Sequence, residues 1–335
     1  MKRAAALLLT LAAVGFGAHA ASAHPSRVAV ETGVAIVNTN LAYENGAAAG
    51  TGMVLTSNGE VLTNNHVIRG ATTIKVTIPQ THRTYVARVL GYDVNADVAL
   101  LQLKNASGLA TVSIGDSSKL SLGQSVTAVG NAGGAGALTV ATGKVTGLHK
   151  TITVSDDQGG SAVLGDLVET DASLQPGDSG GPLVDGSGRV VGMDSAASAG
   201  FYFQGAGDGY AIPIDRVVAL AKQIVAGRSS AQVHVGGTAF LGIGIDPNTS
   251  GYFNGGSYQP GLIISNVVPG SPADRAGLRP GVVVTAIAGK PVASQNAVVA
   301  LLIVHHPGDR VTVRWVDAET GTHTSSLRLA SGPPQ

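Results

Sequence analysis

Short apolar runs, each ended by turn residues, limit the fold of this chain more than any other feature. The runs lie at 33–39, 52–56, 72–78, 84–91, 98–103 and 125–130, and continue at 139–148, 163–170, 183–184 and 189–194. Many short strands at such spacing are typical of a β-barrel or a β-sandwich. The 47 glycines supply turns, and the glycine-rich break at 131–136 divides the strands into two groups. The sequence therefore predicts a mostly β fold with two barrels.

The stretch QPGDSGGPL at 175–183 predicts a tight turn that presents Ser179. Glycine lacks Cβ, so main-chain N–H groups here can approach a bound reactant closely, as an oxyanion hole for acyl transfer requires. An ordinary turn between two strands is the alternative, because glycine, proline and aspartate dominate turns in general.

A serine hydroxyl is a weak nucleophile and needs a base, which in turn needs an orienting group. His66 ends the run VLTNNH, and Asp97 begins the apolar run DVALL. The chain order His66, Asp97, Ser179 is that of chymotrypsin-like enzymes, whereas subtilisins and α/β-hydrolases use other orders. Asp93 is a rival orienter, and Asp97 is favoured because it directly precedes a predicted strand.

The motifs TNNHV at 63–67, DVALL at 97–101, TDA at 170–172 and PGDSGGPL at 176–183 resemble those of HtrA-type (DegP-like) serine proteases. The resemblance extends over nearly the whole chain after its first residues, and it is strongest to the secreted actinobacterial, PepA-type branch. One departure is Asp178, because most members of the wider family have Asn there.

The resemblance implies a chymotrypsin-like double β-barrel protease domain followed by a small α+β PDZ domain. One barrel would hold His66 and Asp97 and the other Ser179. Asp97 would accept the Nδ1–H of His66, which leaves Nε2 to take the Ser179 proton. The oxyanion hole would be formed by the main chain of Gly177, Asp178 and Ser179. The implied activity is hydrolysis of peptide bonds in unfolded or damaged proteins through an acyl-enzyme.

A substrate pocket is predicted beside Ser179. Ser173 stands six residues before Ser179, where tryptic enzymes place an acidic pocket floor, so cleavage after Lys or Arg is disfavoured. Leu174, Met193 and Ala196 are the expected neighbours of the pocket. Together they favour a small or medium aliphatic residue before the scissile bond.

The C-terminal part, 238–330, resembles one PDZ domain, whose partners would be C-terminal or extended peptides. Phe240-Leu241-Gly242-Ile243 is similar to the carboxylate-binding loop and the strand after it. SPADRAGLRPG at 271–281 matches the family's mid-domain turn, although Val282 follows where members commonly have Asp. A helix is expected at 294–304 and a closing strand at 310–315.

The remaining boundaries come from composition. Lys2 and Arg3, an apolar run to about Phe16 and the sequence Ala21-Ser22-Ala23 predict a signal peptide at 1–23, cleaved before His24. Cleavage after Ala18-His19-Ala20 and an uncleaved membrane anchor are the alternatives. The prediction implies a secreted or cell-envelope protein without a stable membrane span after cleavage. The protease domain would cover 24–226 and close with a helix after Ala211, with a linker at 227–237 and a frayed tail at 331–335.

Charge and cysteine content exclude several classes of function. The chain has 21 basic and 21 acidic residues and lacks a basic stripe, so it has no electrostatic footprint for nucleic acid. It has no cysteine, which excludes disulfides and thiolate metal sites, and no metal or cofactor is expected. A chaperone-like holdase and a peptide-binding adaptor with weak or latent protease activity remain as alternative functions. The resemblance also allows a homo-oligomer.

Overall fold

The first barrel is built from the apolar runs predicted between Gly33 and Leu103. Its strands are β1 (Val34–Leu41), β2 (Gly46–Val54), β3 (Glu60–Thr63), β4 (Thr73–Ile78), β5 (Arg83–Asp93) and β6 (Val98–Leu103). All neighbours are antiparallel, and pairing of β5 with β6 closes the sheet. Helix α1 (Arg27–Glu31) precedes the barrel, and the single turn α2 (Asn65–Ile68) follows β3. The computed structural model describes residues 26–43, 45–156, 161–195, 201–203, 209–246, 251–254 and 257–335.

The second barrel repeats the architecture after the break at 131–136. Its strands are β7 (Ser125–Gly130), β8 (Thr139–Asp156), β9 (Ser161–Thr170), β10 (Pro182–Asp185), β11 (Val190–Ser195) and β13 (Gly209–Pro213), and β12 (Phe201–Phe203) adds to β8. Short 3-10 turns lie at Ser117–Lys119 and Ala132–Gly134. Pairing of β8 with β9 closes the barrel. The predicted mostly β fold with two barrels is confirmed.

A buried apolar cluster joins the two barrels. It includes Leu62 of the first barrel, Ile212 of the second and Val217 of helix α3 (Ile214–Val225). The sequence predicts Asp215 as the cap of this helix. The cap position is instead Pro213, and the Asp215 carboxylate accepts hydrogen bonds from the N–H and the hydroxyl of Ser117.

The C-terminal unit is a sheet with two helices. Its elements are β15 (Thr238–Phe240), β16 (Ile243–Ile245), β17 (Gly251–Asn254), β18 (Ser257–Pro260), β19 (Leu262–Val267), α4 (Pro272–Arg275), β20 (Val283–Ile287), β21 (Lys290–Pro291), α5 (Gln295–Leu302), β22 (Arg310–Asp317), β23 (Gly321–Arg328) and β24 (Ala330–Gly332). The main sheet has the order β16-β19-β20-β22-β23, so β16 is an edge strand. Val282, at the family's Asp position, is buried in the core of this unit.

The segment predicted as a linker contains a strand. β14 (Val233–Val235) pairs with β5 of the first barrel, and the buried His234 contacts the carbonyl oxygens of Ile303 and Gly237 through its two ring nitrogens, at 2.7 and 3.0 Å. Only Gly236 and Gly237 separate β14 from β15.

The prediction of a frayed tail at 331–335 is wrong. Ser331 and Gly332 belong to β24, which pairs with β15, and the Gly70 N–H donates to the carbonyl oxygen of Pro334 at 2.9 Å. Hydrogen-bond partners on two other elements therefore hold these residues in place. No helix among the described residues combines the length and apolar content that crossing a bilayer needs. The predicted signal peptide lies outside the described residues.

Candidate active site

His66 lies on α2, where the first barrel reverses direction after β3. Asn64 keeps extended backbone angles (φ −75°, ψ 151°), and the helix begins at the next residue. Val67 and Ile68 are buried in the core of the first barrel. The Asn64 amide donates to the main-chain oxygen of Asp97 at 2.8 Å, which ties the start of α2 to the loop that follows β5.

Asp97 holds His66 at two points. One carboxylate oxygen, Oδ1, accepts the main-chain N–H of His66 at 3.0 Å, and Oδ2 lies 2.8 Å from Nδ1 of the ring. Ser195 Oγ also donates to Oδ2, at 3.2 Å. Asp97 and the His66 ring are both buried. Since an ionised carboxylate can only accept, the ring carries its proton on Nδ1 in this pair.

Asp93, the rival orienter, has a different role. Its Oδ1 accepts the N–H groups of Asn95 and Ala96, both at 2.9 Å, and so closes the turn between β5 and β6. Burial raises the pKa of Asp93, and these two hydrogen bonds oppose the shift. The structure brings Asp97, and not Asp93, to His66.

The turn before Ser179 has the features of a type II β-turn. The Asp178 N–H donates to Gln175 O at 3.0 Å, Pro176 occupies the second position, and Gly177 has a φ of +100°. Glycine is favoured at that third position because the turn requires a positive φ there. Ser179 follows directly and is fully buried.

Thr51 of β2 attaches this turn to the first barrel. Its hydroxyl donates to Gly177 O at 2.7 Å and accepts the Asn131 N–H at 2.9 Å, while its N–H donates to Ser179 O at 2.8 Å. A Cβ on the neighbouring Gly50 would lie 2.7 Å from a methyl of Val67 and 3.2 Å from Ser179 O. Val67, which follows His66, and the main chain of Ser179 therefore both pack against strand β2.

The predicted oxyanion donors differ in their hydrogen bonds. The Asp178 N–H is used by the turn, whereas the carbonyl groups of Pro176 and Asp178 accept from Gly133 N, at 2.7 Å, and from Gly181 N, at 2.9 Å. In a trans peptide the N–H points away from the preceding C=O. Both bonds therefore fix the directions of the Gly177 and Ser179 N–H groups.

Two buried carboxyl groups lie behind the turn. Asp178 Oδ2 accepts the Gln175 N–H at 2.8 Å. Asp178 Oδ1 and both carboxyl oxygens of Asp194 have no hydrogen-bond partner among the described residues. The main chain of Asp194 bonds to Gly180 and Gly181, at 2.8 Å in each case. Burial, with the charge of Asp178 adding to it, raises the pKa of Asp194 well above its ordinary value. Burial also raises the pKa of Asp178.

We expect Asp194→Asn to raise the melting temperature more at pH 8 than at pH 4. A raised pKa means that the folded protein holds the Asp194 proton more tightly than the unfolded chain does. The associated stability is complete below the unfolded-state pKa, about 3.8, and is lost as the pH rises through the folded-state pKa. Asparagine is uncharged throughout, so the gain at pH 8 should be about 1–3 kcal/mol relative to pH 4. Thermal melts of both proteins at the two pH values measure it.

Asp116→Asn is the control for this prediction. Asp116 is half-buried at the surface, and its hydrogen bond to Lys119 lowers its pKa to about 2. Its contribution is present above the unfolded-state pKa and is lost as the pH falls, so this substitution should give no gain at pH 8. An equal gain for Asp194→Asn at both pH values would contradict the assignment of a raised pKa.

The predicted pocket residues are only partly brought together. Ser173 is exposed, and Leu174 is half-buried where it packs against Gly209. Met193 is fully buried in the apolar cluster that joins the barrels. Its prediction as a pocket wall is corrected, because its side chain faces the core. Ala196 lies outside the described residues.

The four predicted peptide-binding residues lie at the start of the C-terminal unit. The Phe240 ring stacks on Tyr43 of the first barrel, with centroids 5.3 Å apart, and Leu241 is buried in the core of the C-terminal unit. Leu241 O accepts from Ala273 N at 3.0 Å, and Gly242 O accepts from Val268 N at 2.9 Å. The Gly242 and Ile243 N–H groups therefore point away from those partners. Ile243 begins the edge strand β16.

Three residues of the site have no sequence prediction: Thr51, Asp194 and Ser195. Thr51 stands in a glycine-rich strand and Ser195 at a strand end, and neither position carries a motif. Asp194 interrupts the apolar run of β11, which could have marked it as unusual. Among the described residues, no group of three or more His, Cys, Asp or Glu side chains is placed to hold a metal ion.

Comparisons with known proteins find matches to two parts of the chain. Residues 50–193 match the family described as "Trypsin-like peptidase domain", and residues 263–317 match "PDZ domain". Serine protease PepD of Mycobacterium tuberculosis is 31% identical over 310 residues, which cover 88% of this chain and 63% of PepD. The periplasmic pH-dependent serine endoprotease DegQ of Escherichia coli is 33% identical over 292 residues, or 84% of this chain and 61% of DegQ.

A solved structure gives the same picture of the fold. The HtrA-type protease AlgW, determined with a tripeptide, superposes with a TM-score of 0.52 at 24% identity, and the match covers 93% of this chain and 98% of AlgW. The present chain spans about three fifths of the length of the two curated relatives.

Proposed function

We propose that this chain, which belongs to the HtrA-type family of trypsin-like serine proteases with a PDZ domain, hydrolyses peptide bonds through the triad Ser179, His66 and Asp97. The observation that carries the proposal is that the Asp97 carboxylate contacts His66 twice, at the main-chain N–H and at Nδ1 of the ring. It fixes both the position and the tautomer of the base, which is the role that the orienting carboxylate has in such triads.

In the proposed reaction, His66 Nε2 takes the proton of Ser179 Oγ while Oγ attacks the scissile carbonyl carbon. The N–H groups of Gly177 and Ser179 stabilise the oxyanion. The hydrogen bonds of Pro176 O and Asp178 O hold the two peptides that carry these N–H groups in one orientation before substrate binds, and the bond from Thr51 to Gly177 O holds the peptide between them. His66 then gives its proton to the leaving amine. Water hydrolyses the resulting acyl-enzyme by the same proton transfers in reverse.

Digestion of casein by the wild type and by Ser179→Ala tests this proposal. The wild type should degrade casein, and Ser179→Ala should not, although its melting temperature is unchanged. A parallel assay measures suppression of aggregation of an unfolded protein. If both proteins suppress aggregation equally and the wild type does not cleave casein, the chain functions as a holdase and not as a protease.

The proposed substrates are unfolded or damaged proteins, with a small or medium aliphatic residue before the scissile bond. Exposed Ser173 and half-buried Leu174, beside the turn of Ser179, support this preference. Export is also proposed: the pattern of residues 1–23 is that of a signal peptide, and DegQ is named as a periplasmic enzyme.

The PDZ domain is proposed to bind C-terminal or extended peptide segments. A peptide would add as a strand beside β16, whose second edge has no partner strand among the described residues. The Gly242 and Ile243 N–H groups, directed away from the core, would hold its carboxylate. Gly242 has a φ of +85°, and a Cβ there would collide with the Ser271 side chain.

Gly242→Ala should therefore weaken binding of a hydrophobic C-terminal peptide by at least about tenfold, an energy near 1.4 kcal/mol. Gly277→Ala is the matched control, because Gly277 has a similar φ of +83° but open space around it. Fluorescence anisotropy with a labelled peptide measures both affinities. Equal affinities for the two variants would show that the 240–243 loop is not part of the binding site.

The rate of casein cleavage by the same two variants tests whether peptide capture supplies the protease with substrate. Under that proposal Gly242→Ala digests casein more slowly than Gly277→Ala. Equal rates would leave the PDZ domain a localising or assembly module.

A further inference from the structure

The C-terminal tail, Ser331–Gln335, reaches back from the PDZ domain to the first barrel. Pro334 O accepts the Gly70 N–H at 2.9 Å, and Gln335 O accepts the Asn65 amide at 2.9 Å. The Gln335 N–H donates to the Tyr92 hydroxyl at 3.3 Å. Pro334 is buried by these contacts.

The three partners of the tail lie on the segments that carry His66 and that lead to Asp97. Asn65 directly precedes His66, and Gly70 follows the end of α2 with a φ of +73°. Tyr92 is fully buried and stands just before the turn that ends at Asp97. The tail thus contacts both ends of the helix that carries His66 and the strand that leads to its orienting carboxylate.

Helix α2 depends on tertiary contacts for its position. A single turn of four residues cannot be stable alone, because helix nucleation is unfavourable. Asn64 makes no side-chain cap hydrogen bond to it. The Asn65 side chain is buried and its Oδ1 has no partner among the described residues, so the bond to Gln335 is what orients this amide.

We propose that the C-terminal tail is a positioning element of the active site, which holds α2 and thereby His66 in the geometry that proton transfer needs. The inference rests on the proposed function of His66. The tail is itself anchored, because β24 pairs with β15 and Gly332 packs so closely on the Phe240 ring that a Cβ there would collide with it. Asp97 holds His66 through its main-chain N–H and its ring, and the tail adds contacts before and after it on the chain. A misplacement of the base by about 1 Å is enough to lower the rate about 100-fold.

The test uses the full chain and a variant without Pro334 and Gln335, with Ser331→Ala as the control. Ser331 is exposed, pairs through its main chain and makes none of the three contacts. The shortened variant should lose about 10- to 100-fold in kcat on a short chromogenic peptide, with KM changed by less than about twofold. Ser331→Ala should match the wild type.

A second variant, Asn65→Leu, keeps the branched shape of the side chain, with a larger volume, and removes its donor. It should lower kcat in the same way, and the double variant should be no worse than the shortened chain, because the shortened chain already lacks the bond that Asn65→Leu removes. The inference would be overturned if kcat is unchanged in either folded variant, or if the loss in the double variant equals the product of the two single losses. If the shortened chain does not fold, Asn65→Leu alone decides. Absence of Ser179-dependent turnover in the wild type would instead contradict the proposed function.

Discussion

Asp97→Asn is expected to lower kcat by about 10⁴-fold while the protein stays folded. In the unsubstituted protein, the Asp97 carboxylate accepts from His66 N, His66 Nδ1 and Ser195 Oγ. An amide has one acceptor oxygen and one donor nitrogen, so it cannot serve all three, and an amide N–H facing Nδ1 favours the tautomer with the proton on Nε2. That tautomer cannot take the Ser179 proton. Steady-state kinetics on a short chromogenic peptide, with a melting curve for each protein, measures the loss.

Asp93→Asn is the matched control, four residues away in the same loop. The Asp93 carboxylate accepts two main-chain N–H groups through one oxygen, Oδ1, and an amide oxygen can do the same. We expect kcat within about threefold of the wild type, since only a local turn is affected. The reverse pattern, with Asp93→Asn inactive and Asp97→Asn active, would show that Asp93 is the orienter.

Thr51→Val is expected to lower kcat by about 100-fold or more, with a small change in KM. Valine has nearly the shape of threonine but no hydroxyl, so Gly177 O loses its donor and the Asn131 N–H loses its acceptor. The peptide between Gly177 and Asp178 then keeps only the bond from the Asp178 N–H to Gln175 O. The turn that begins at Asn131 also loses its anchor, and the Gly133 N–H of that turn orients the peptide that carries the Gly177 N–H. Because the Gly177 N–H must already point at the developing oxyanion, the loss should appear in the chemical step.

Thr51→Ser distinguishes the hydroxyl from general packing. Serine keeps both hydrogen bonds and removes only a methyl group, so its kcat should stay within about threefold of the wild type while its stability falls by about 1 kcal/mol. Equal losses in kcat for Thr51→Val and Thr51→Ser would show that the methyl group, and not the hydroxyl, matters at this position.

The sequence predicts the fold well where local patterns determine it. Short apolar runs and their turns identify the two barrels. The motifs around His66, Asp97 and Ser179 are short because each of these residues lies next to the end of one strand, and the residues of that strand determine its position. The choice between Asp93 and Asp97 also uses local information, since Asp97 directly precedes a predicted strand and Asp93 lies earlier in the same loop. Their catalytic roles stay predictions until they are tested by substitution.

Features that depend on distant partners could not be predicted in this way. Thr51 lies 126 residues before Gly177, to which it bonds, and the tail meets α2 across 270 residues between Asn65 and Gln335. Composition alone made the tail appear frayed, because proline and glycine carry no apolar pattern. Met193 was misplaced for a related reason: strand alternation puts it on one of two faces, and only the structure shows that this face is the core.

The two glycines between β14 and β15 set how the PDZ domain is able to move. Residues before them are hydrogen-bonded into the first barrel, and Gly236 N–H itself donates to Leu90 O at 2.8 Å. Two residues span at most about 7 Å even when fully extended. A connection this short prevents translation of the domain away from the first barrel and leaves rotation as the available motion. Any large rearrangement of the PDZ domain must therefore be a rotation about Gly236 and Gly237, and such a rotation would break the contacts of Pro334 and Gln335 with the first barrel.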